Sequence, residues 1–186
     1  MRIVSGNFRG RRFQLPKSLK ARPTTDFAKE NLFNILANRF DFEDLRVLDL
    51  FAGTGSIGFE FLSRDAKSVT FVEQYGPHVR FIQEVALKLK VTNYSVVNGD
   101  AYRFIGSSKA SFDLIFADAP YADEKMAQLP DLILATELLA EDGLLLVEHG
   151  KHTDFSQHPS FKEMRTYGSV HFSFFEKMSL TPLFEV

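Results

Sequence analysis

Residues 46–58 read RVLDLFAGTGSIG. An apolar, strand-like run passes an acid and leads into three glycines spaced G-x-G-x-x-G, ahead of a helix-like stretch. This arrangement belongs at the carboxyl end of a parallel strand that feeds a helix. Glycines at 53 and 55 let the backbone adopt conformations that a Cβ forbids and come close to a ligand. A glycine at 58 lets the helix lie tightly on its strand. Glu73 follows Gly53 by 20 residues, at the end of the next apolar run. There a carboxylate can accept hydrogen bonds from both hydroxyls of an adenosine ribose.

The rest of the chain repeats the unit. SVTFVE, YSVVNG, FDLIFAD and GLLLVEH read as strands. Between them HVRFIQEVALKLK, the short AYRFIG and KMAQLPDLILATELLA read as helices, the last interrupted at Pro130. The strands are rich in Val, Ile, Leu and Phe with little alternation, as expected when helices cover both faces. The fold class is therefore α/β, with a doubly wound, mostly parallel sheet. The ending breaks the pattern: FKEMRTYGSVHFSFFEKM reads as two strands meeting near Tyr167-Gly168, an antiparallel hairpin. At the other end, RIVSGNFRGRRFQL reads as a small β-hairpin. RPTTDFAKENLFNILANRF then reads as a helix with N-cap candidates in Thr-Thr-Asp. Ala28, Leu32, Ile35, Leu36 and Phe40 recur on its core-facing side.

Composition narrows the class further. There is no Cys among the 186 residues, which excludes disulfides and thiolate zinc sites. No stretch has the apolar length of a membrane span, and the first residues lack a secretory pattern, so a cytoplasmic location is expected. Twenty Phe and no Trp point to an aromatic core. The formal charge of −2 conceals an asymmetry: residues 1–29 carry eight Lys/Arg and one acid, net +7, and the remainder carries 14 basic against 23 acidic residues, net −9. A basic arm on an acidic body suits a polyanionic partner; an idle solvated segment is the plainer alternative.

Three further places bear on chemistry. Asp49 lies inside the apolar strand before the glycine loop, where a carboxylate is costly unless hydrogen-bonded or placed at a ligand. It would repel a pyrophosphate and suit a cationic amino-acid end. It reads equally as a buried acid that satisfies a turn. Asp100, in NGDA, reads as a helix N-cap, and the segment also resembles one that holds an adenine. FADAPY places Asp118, Ala119, Pro120 and Tyr121 at the carboxyl end of the fourth strand, where ligands of open α/β sheets bind. An acid, a carbonyl and a ring there suit a planar base with an exocyclic amine; an Asx-Pro turn is the alternative. His149 reads as a strand-end polar residue.

DLFAGTGSIG resembles the first motif of class I S-adenosylmethionine-dependent methyltransferases, and DAPY resembles the Asp-Pro-Pro-Tyr motif of enzymes that methylate exocyclic amines. The whole chain is similar to the RsmD-type small-subunit (16S) rRNA guanine-N2 methyltransferases, through MRIVSGNFRGRRF, ARPTTDFAKENLFNIL, VLDLFAGTGSIGFEFLSR, SVTFVE, GDA, FDLIFADAPY, LLLVEHG and YGSVHFSFFE. The resemblance implies a seven-stranded Rossmann-like sheet and S-adenosylmethionine as cofactor, with no metal. It implies cofactor contacts from Thr24, Asp49, Phe51, Ala52, Gly53, Gly55, Gly58, Glu73, Gln74, Asp100, Ala101 and Asp118. Catalysis falls to Asp118, Ala119, Pro120 and Tyr121, and RNA contact to Arg9, Arg11, Arg12 and Arg22. Residues 1–23 would be the RNA-contact segment and 24–186 the methyltransferase domain of a monomer acting on the small ribosomal subunit. Ala119 departs from the family's Pro and leaves the loop looser. An adenine-N6 methyltransferase, an NAD(P) oxidoreductase and a non-catalytic RNA-binding module are the competing readings.

Overall fold

A computed structural model describes residues 1–16, 24–120 and 123–177. Among them seven strands form one sheet: Arg46–Leu50 (β1), Ser68–Glu73 (β2), Tyr94–Asn98 (β3), Phe112–Ala117 (β4), Leu139–His149 (β5), Phe161–Tyr167 (β6) and Val170–Glu176 (β7). The order is β3-β2-β1-β4-β5-β7-β6. β1 to β5 are mutually parallel, and β7 is inserted antiparallel between β5 and β6. The chain winds outward from β1 to β3, then returns to lay β4 on the other side of β1. The loops leaving β1 and β4 therefore part from one another, which opens a crevice at their carboxyl ends.

Helices Asp26–Ala37 (α1), Ser56–Leu62 (α2) and Gly76–Leu89 (α3) cover one face; Ala101–Ser107 (α4) and Leu129–Leu134 (α5) cover the other. Strand parity divides the two cores. Val47, Phe116, Leu146 and Phe172 point to the first, and Leu48, Ile115, Ala117 and Val147 to the second. α1 starts where its capping residues predict: the Thr25 side chain accepts from the Ala28 N–H at 3.2 Å. Its buried stripe is Ala28, Leu32, Phe33 and Leu36, whereas Ile35 and Phe40 are only half-buried against the core.

Two segments differ from expectation. The helix expected through residue 140 ends at Leu134, and β5 begins at Leu139. Leu138 and Leu139 are fully buried; Leu139 pairs with Phe112, whose N–H donates to the Leu138 carbonyl at 2.7 Å. Tertiary burial thus overrides the helix propensity of ELLA. The N-terminal pairing is shorter than a full hairpin: one antiparallel bridge joins Arg2 and Arg12, with Ile3, Gly10, Met1 and Phe13 hydrogen-bonded around it. This segment is fastened to the body. Glu60, fully buried on α2, accepts from the Val4 N–H at 2.8 Å, Lys29 Nζ at 3.1 Å and Arg64 Nη1 at 2.6 Å. Lys29 is itself buried and also donates to the Arg2 carbonyl. Ser63 and Asp65, at the end of α2, hold Phe8 and Asn7.

Candidate active site

The crevice at the carboxyl ends of β1, β2 and β4 contains a cavity of about 360 Å³, within the range of small-molecule sites. The loop after β1 forms its floor. Phe51 takes φ +58°, a left-handed conformation rare for an aromatic residue and favoured at ligand clamps. Its ring meets Tyr102 edge-on at 5.5 Å. Gly53 and Gly55 follow with φ +54° and +73°, and Gly55 serves as the N-cap of α2.

Thr24, Asp49, Phe51, Ala52, Gly53, Glu73, Gln74, Asp100, Ala101, Asp118 and Pro120 all line this cavity. Gly55 and Gly58, expected among the cofactor contacts, are absent from its lining. A Cβ on Gly55 would face the rings of Phe59 and Phe71 at 3.0 Å, toward the core. One on Gly58 would sit 2.1 Å from Phe71 and 3.0 Å from an Asp49 oxygen. Both glycines serve packing. Ala119 is likewise absent from the lining, because it sits one residue out of phase with Asp118 and buries its side chain in the second core. Tyr121 and Arg22 lie outside the described residues.

Glu73 Oε2 accepts from the Gly53 N–H and Oε1 from the Tyr75 N–H, each at 2.7 Å. The carboxylate is thereby oriented, and each oxygen retains acceptor capacity. Asp100 caps α4 through the Arg103 N–H at 2.9 Å and also lines the cavity. Asp49 accepts from the Gly58 N–H at 2.9 Å. Its full burial, with Glu73 and Glu148 adding negative potential against that hydrogen bond, pushes its pKa up to about 8. Asp118 is held well above the usual carboxylate range by burial, then by Glu148 and Asp49. Two buried acids whose pKa values are raised beside one cavity suit a cationic ligand, whose charge would favour their ionised forms.

Three contributors escaped the sequence pattern. Glu148, near the end of β5, is buried and accepts from Thr24 Oγ1 at 2.9 Å. Its signal was the one that exposed Asp49, an acid at the end of an apolar strand. Ser56 Oγ and His78 Nε2 line the same cavity as buried polar atoms without a hydrogen-bond partner among the described residues. Such orphans mark places where a ligand completes the bonding. His149, by contrast, is structural: Nε2 pairs with Ser173 Oγ at 2.8 Å and Nδ1 with the Gly150 carbonyl at 3.0 Å, and burial lowers its pKa.

Arg9, Arg11 and Arg12 are exposed and make no ion pair among the described residues. Arg12 borders a cleft, about 730 Å³, that shares Thr24 and Ser56 with the cavity.

The chain matches the family described as Conserved hypothetical protein 95 over residues 1–176. It is 34% identical over 148 residues to Ribosomal RNA small subunit methyltransferase D of Escherichia coli K12, covering 80% of this chain and 74% of that protein. The solved structure of Escherichia coli YhhF superposes with a TM-score of 0.82 at 30% identity, covering 96% of this chain and 99% of the other. A methyltransferase structure complexed with SAH, 14% identical, shares the fold at a TM-score of 0.63, over 78% of this chain and 48% of the other.

Proposed function

Because this chain belongs to the Conserved hypothetical protein 95 family and is a methyltransferase of the ribosomal RNA small subunit methyltransferase D kind, we propose that it moves a methyl group from S-adenosylmethionine to the exocyclic N2 of one guanine in 16S rRNA. The observation that carries this reading is the meeting, in one cavity, of Asp118 and Pro120 with Asp49, Glu73 and Asp100.

The cavity fits the cofactor chemically. Glu73 offers acceptors for a ribose diol, Asp49 a buried acid for an ammonium, and Asp100 and Ala101 a wall for adenine. When bound, S-adenosylmethionine supplies a methyl group already activated by its sulfonium. The protein's share is then mostly positioning. Asp118 and the Ala119 carbonyl accept the two amine hydrogens, which directs the nitrogen lone pair outward and offsets the positive charge that develops on nitrogen. The methylated amine sheds its proton to Asp118 and onward to water. The target base must leave its stack to reach this depth, and Tyr121 is the proposed stacking partner. Thr24 is proposed at the methionine end, and Arg9, Arg11, Arg12 and Arg22 as phosphate contacts that orient the RNA.

The test is tritium transfer from labelled S-adenosylmethionine to small ribosomal subunits that lack their own guanine-N2 methylation, followed by nuclease mapping. Label on N2 of a single guanine is expected. Label on adenine N6 would overturn the base assignment, and label on protein or DNA alone would overturn the substrate class.

A further inference from the structure

Three acids converge behind the amine position from three different strands. β4 and β5 are in register from Leu114 opposite Leu144 to Ala117 opposite Val147, so the next step sets Asp118 beside Glu148. β1 places Asp49 opposite Phe116, two residues before Asp118 and on the same face. Asp49 and Asp118 line the cavity, while Glu148, 4% exposed, stands behind them. Thr24, from a segment 124 residues distant, donates its hydroxyl to Glu148 Oε2 at 2.9 Å. Thr24 is itself buried, lines the cavity, and directly precedes the cap of α1. One carboxylate thus stands beside the end of β4 and holds the residue that leads into α1.

We propose that Glu148 is a positioning residue of the transfer reaction, governing Asp118 through its charge and the approach to α1 through its hydrogen bond to Thr24. This rests on the reading that Asp118 faces the target amine. During transfer the N2 lone pair forms the bond to the methyl carbon, the sulfur–methyl bond breaks with its pair left on sulfur, and the N2 proton passes to ionised Asp118. A neighbouring negative charge makes Asp118 a stronger proton acceptor for that last step. Asp118 is faced by Asp49 from β1 and Glu148 from β5, with Glu73 of β2 beyond Asp49 and uncharged Thr24 on the α1 side. Of the two nearer acids, Glu148 exerts the larger effect on Asp118 after burial itself.

Glu148→Gln removes the charge and keeps a carbonyl oxygen for Thr24; Thr24→Val keeps the charge and removes the tether. In the free protein, the titration of Asp118 is read by infrared difference against Asp118→Asn. Glu148→Gln is expected to move its midpoint down by roughly one pH unit, and the acid limb of the kcat profile for methyl transfer should move with it. Thr24→Val is expected to leave both in place and to raise KM several-fold. A midpoint and limb unmoved by Glu148→Gln, or moved equally by Thr24→Val, would overturn the proposal. Glu148→Asp keeps the charge but shortens the reach. It should hold the midpoint and raise KM, so refutation stays possible if the amide variant does not fold. If subunits take no label from the unmodified protein while the midpoint still moves, the link between Glu148 and Asp118 stands and the substrate reading fails.

Discussion

Asp49→Asn separates what this site costs the free protein from what it contributes to binding. The carboxyl is fully buried, and its pKa rises from 3.8 to about 8 in the folded chain. A group whose folded pKa is raised binds more protons folded than unfolded, so stability falls as pH rises between those two values. A difference of roughly four units corresponds to ~5 kcal/mol of lost stability above pH 8 if nothing relaxes. Water entry and side-chain adjustment in real interiors bring such penalties down to ~2–3 kcal/mol. The amide stays neutral at every pH, and its oxygen still accepts from the Gly58 N–H. Urea unfolding at pH 5 and pH 9 is the assay. Asp49→Asn is expected to exceed the unmodified protein by a margin that widens between pH 5 and pH 9, reaching ~2–3 kcal/mol at pH 9. Binding of S-adenosylhomocysteine, followed by calorimetry, is expected to weaken about tenfold or more through loss of the charge facing the ligand's ammonium. Parallel stability of the two proteins across this pH range would refute the argument that Asp49 is a strained, proton-holding acid.

Other substitutions test separate features. Gly58→Ala places a methyl against Phe71 and should cost ~1–3 kcal/mol in denaturant unfolding by overpacking, with little effect on ligand affinity beyond that loss. Lys29→Met leaves Glu60 with one cation fewer in a buried site; thermal and urea unfolding should show a loss of ~3–5 kcal/mol, and a change below 1 kcal/mol would mean that the pair adds nothing. Arg11→Glu with Arg12→Glu should weaken RNA binding and flatten its salt dependence by about two phosphate contacts, while S-adenosylhomocysteine affinity stays constant.

The parts of the fold that follow from periodicity were readable before any coordinates. Apolar runs without alternation announced a sheet covered on both sides, and the closing Tyr167-Gly168 turn announced the antiparallel strands. The limits of such reading are physical. ELLA favours a helix locally, and only the burial of Leu138 and Leu139 against β4 converts it to strand. In the site, spacing located the glycine loop after β1, because that motif exists to hold a particular backbone shape. Spacing also assigned Gly58 to helix packing, and a Cβ there does meet Phe71, as one on Gly55 would. It overlooked Glu148, whose partner Thr24 is 124 residues away. A contact across that distance leaves no trace in local spacing. Lys29 was missed for the same reason, since its partner is on another helix.

The bonds that fasten residues 4–8 reach 55 to 58 residues ahead in the chain, to Glu60, Ser63 and Asp65. During synthesis, which runs from this end, those partners do not yet exist when the basic segment emerges. The segment carrying Arg9, Arg11 and Arg12 must stay undocked until α2 has been made and has found β1. It leaves the ribosome before its partners and settles only after them. A nascent chain arrested before residue 60 would therefore present a loose cationic strand, open to proteases and to stray RNA.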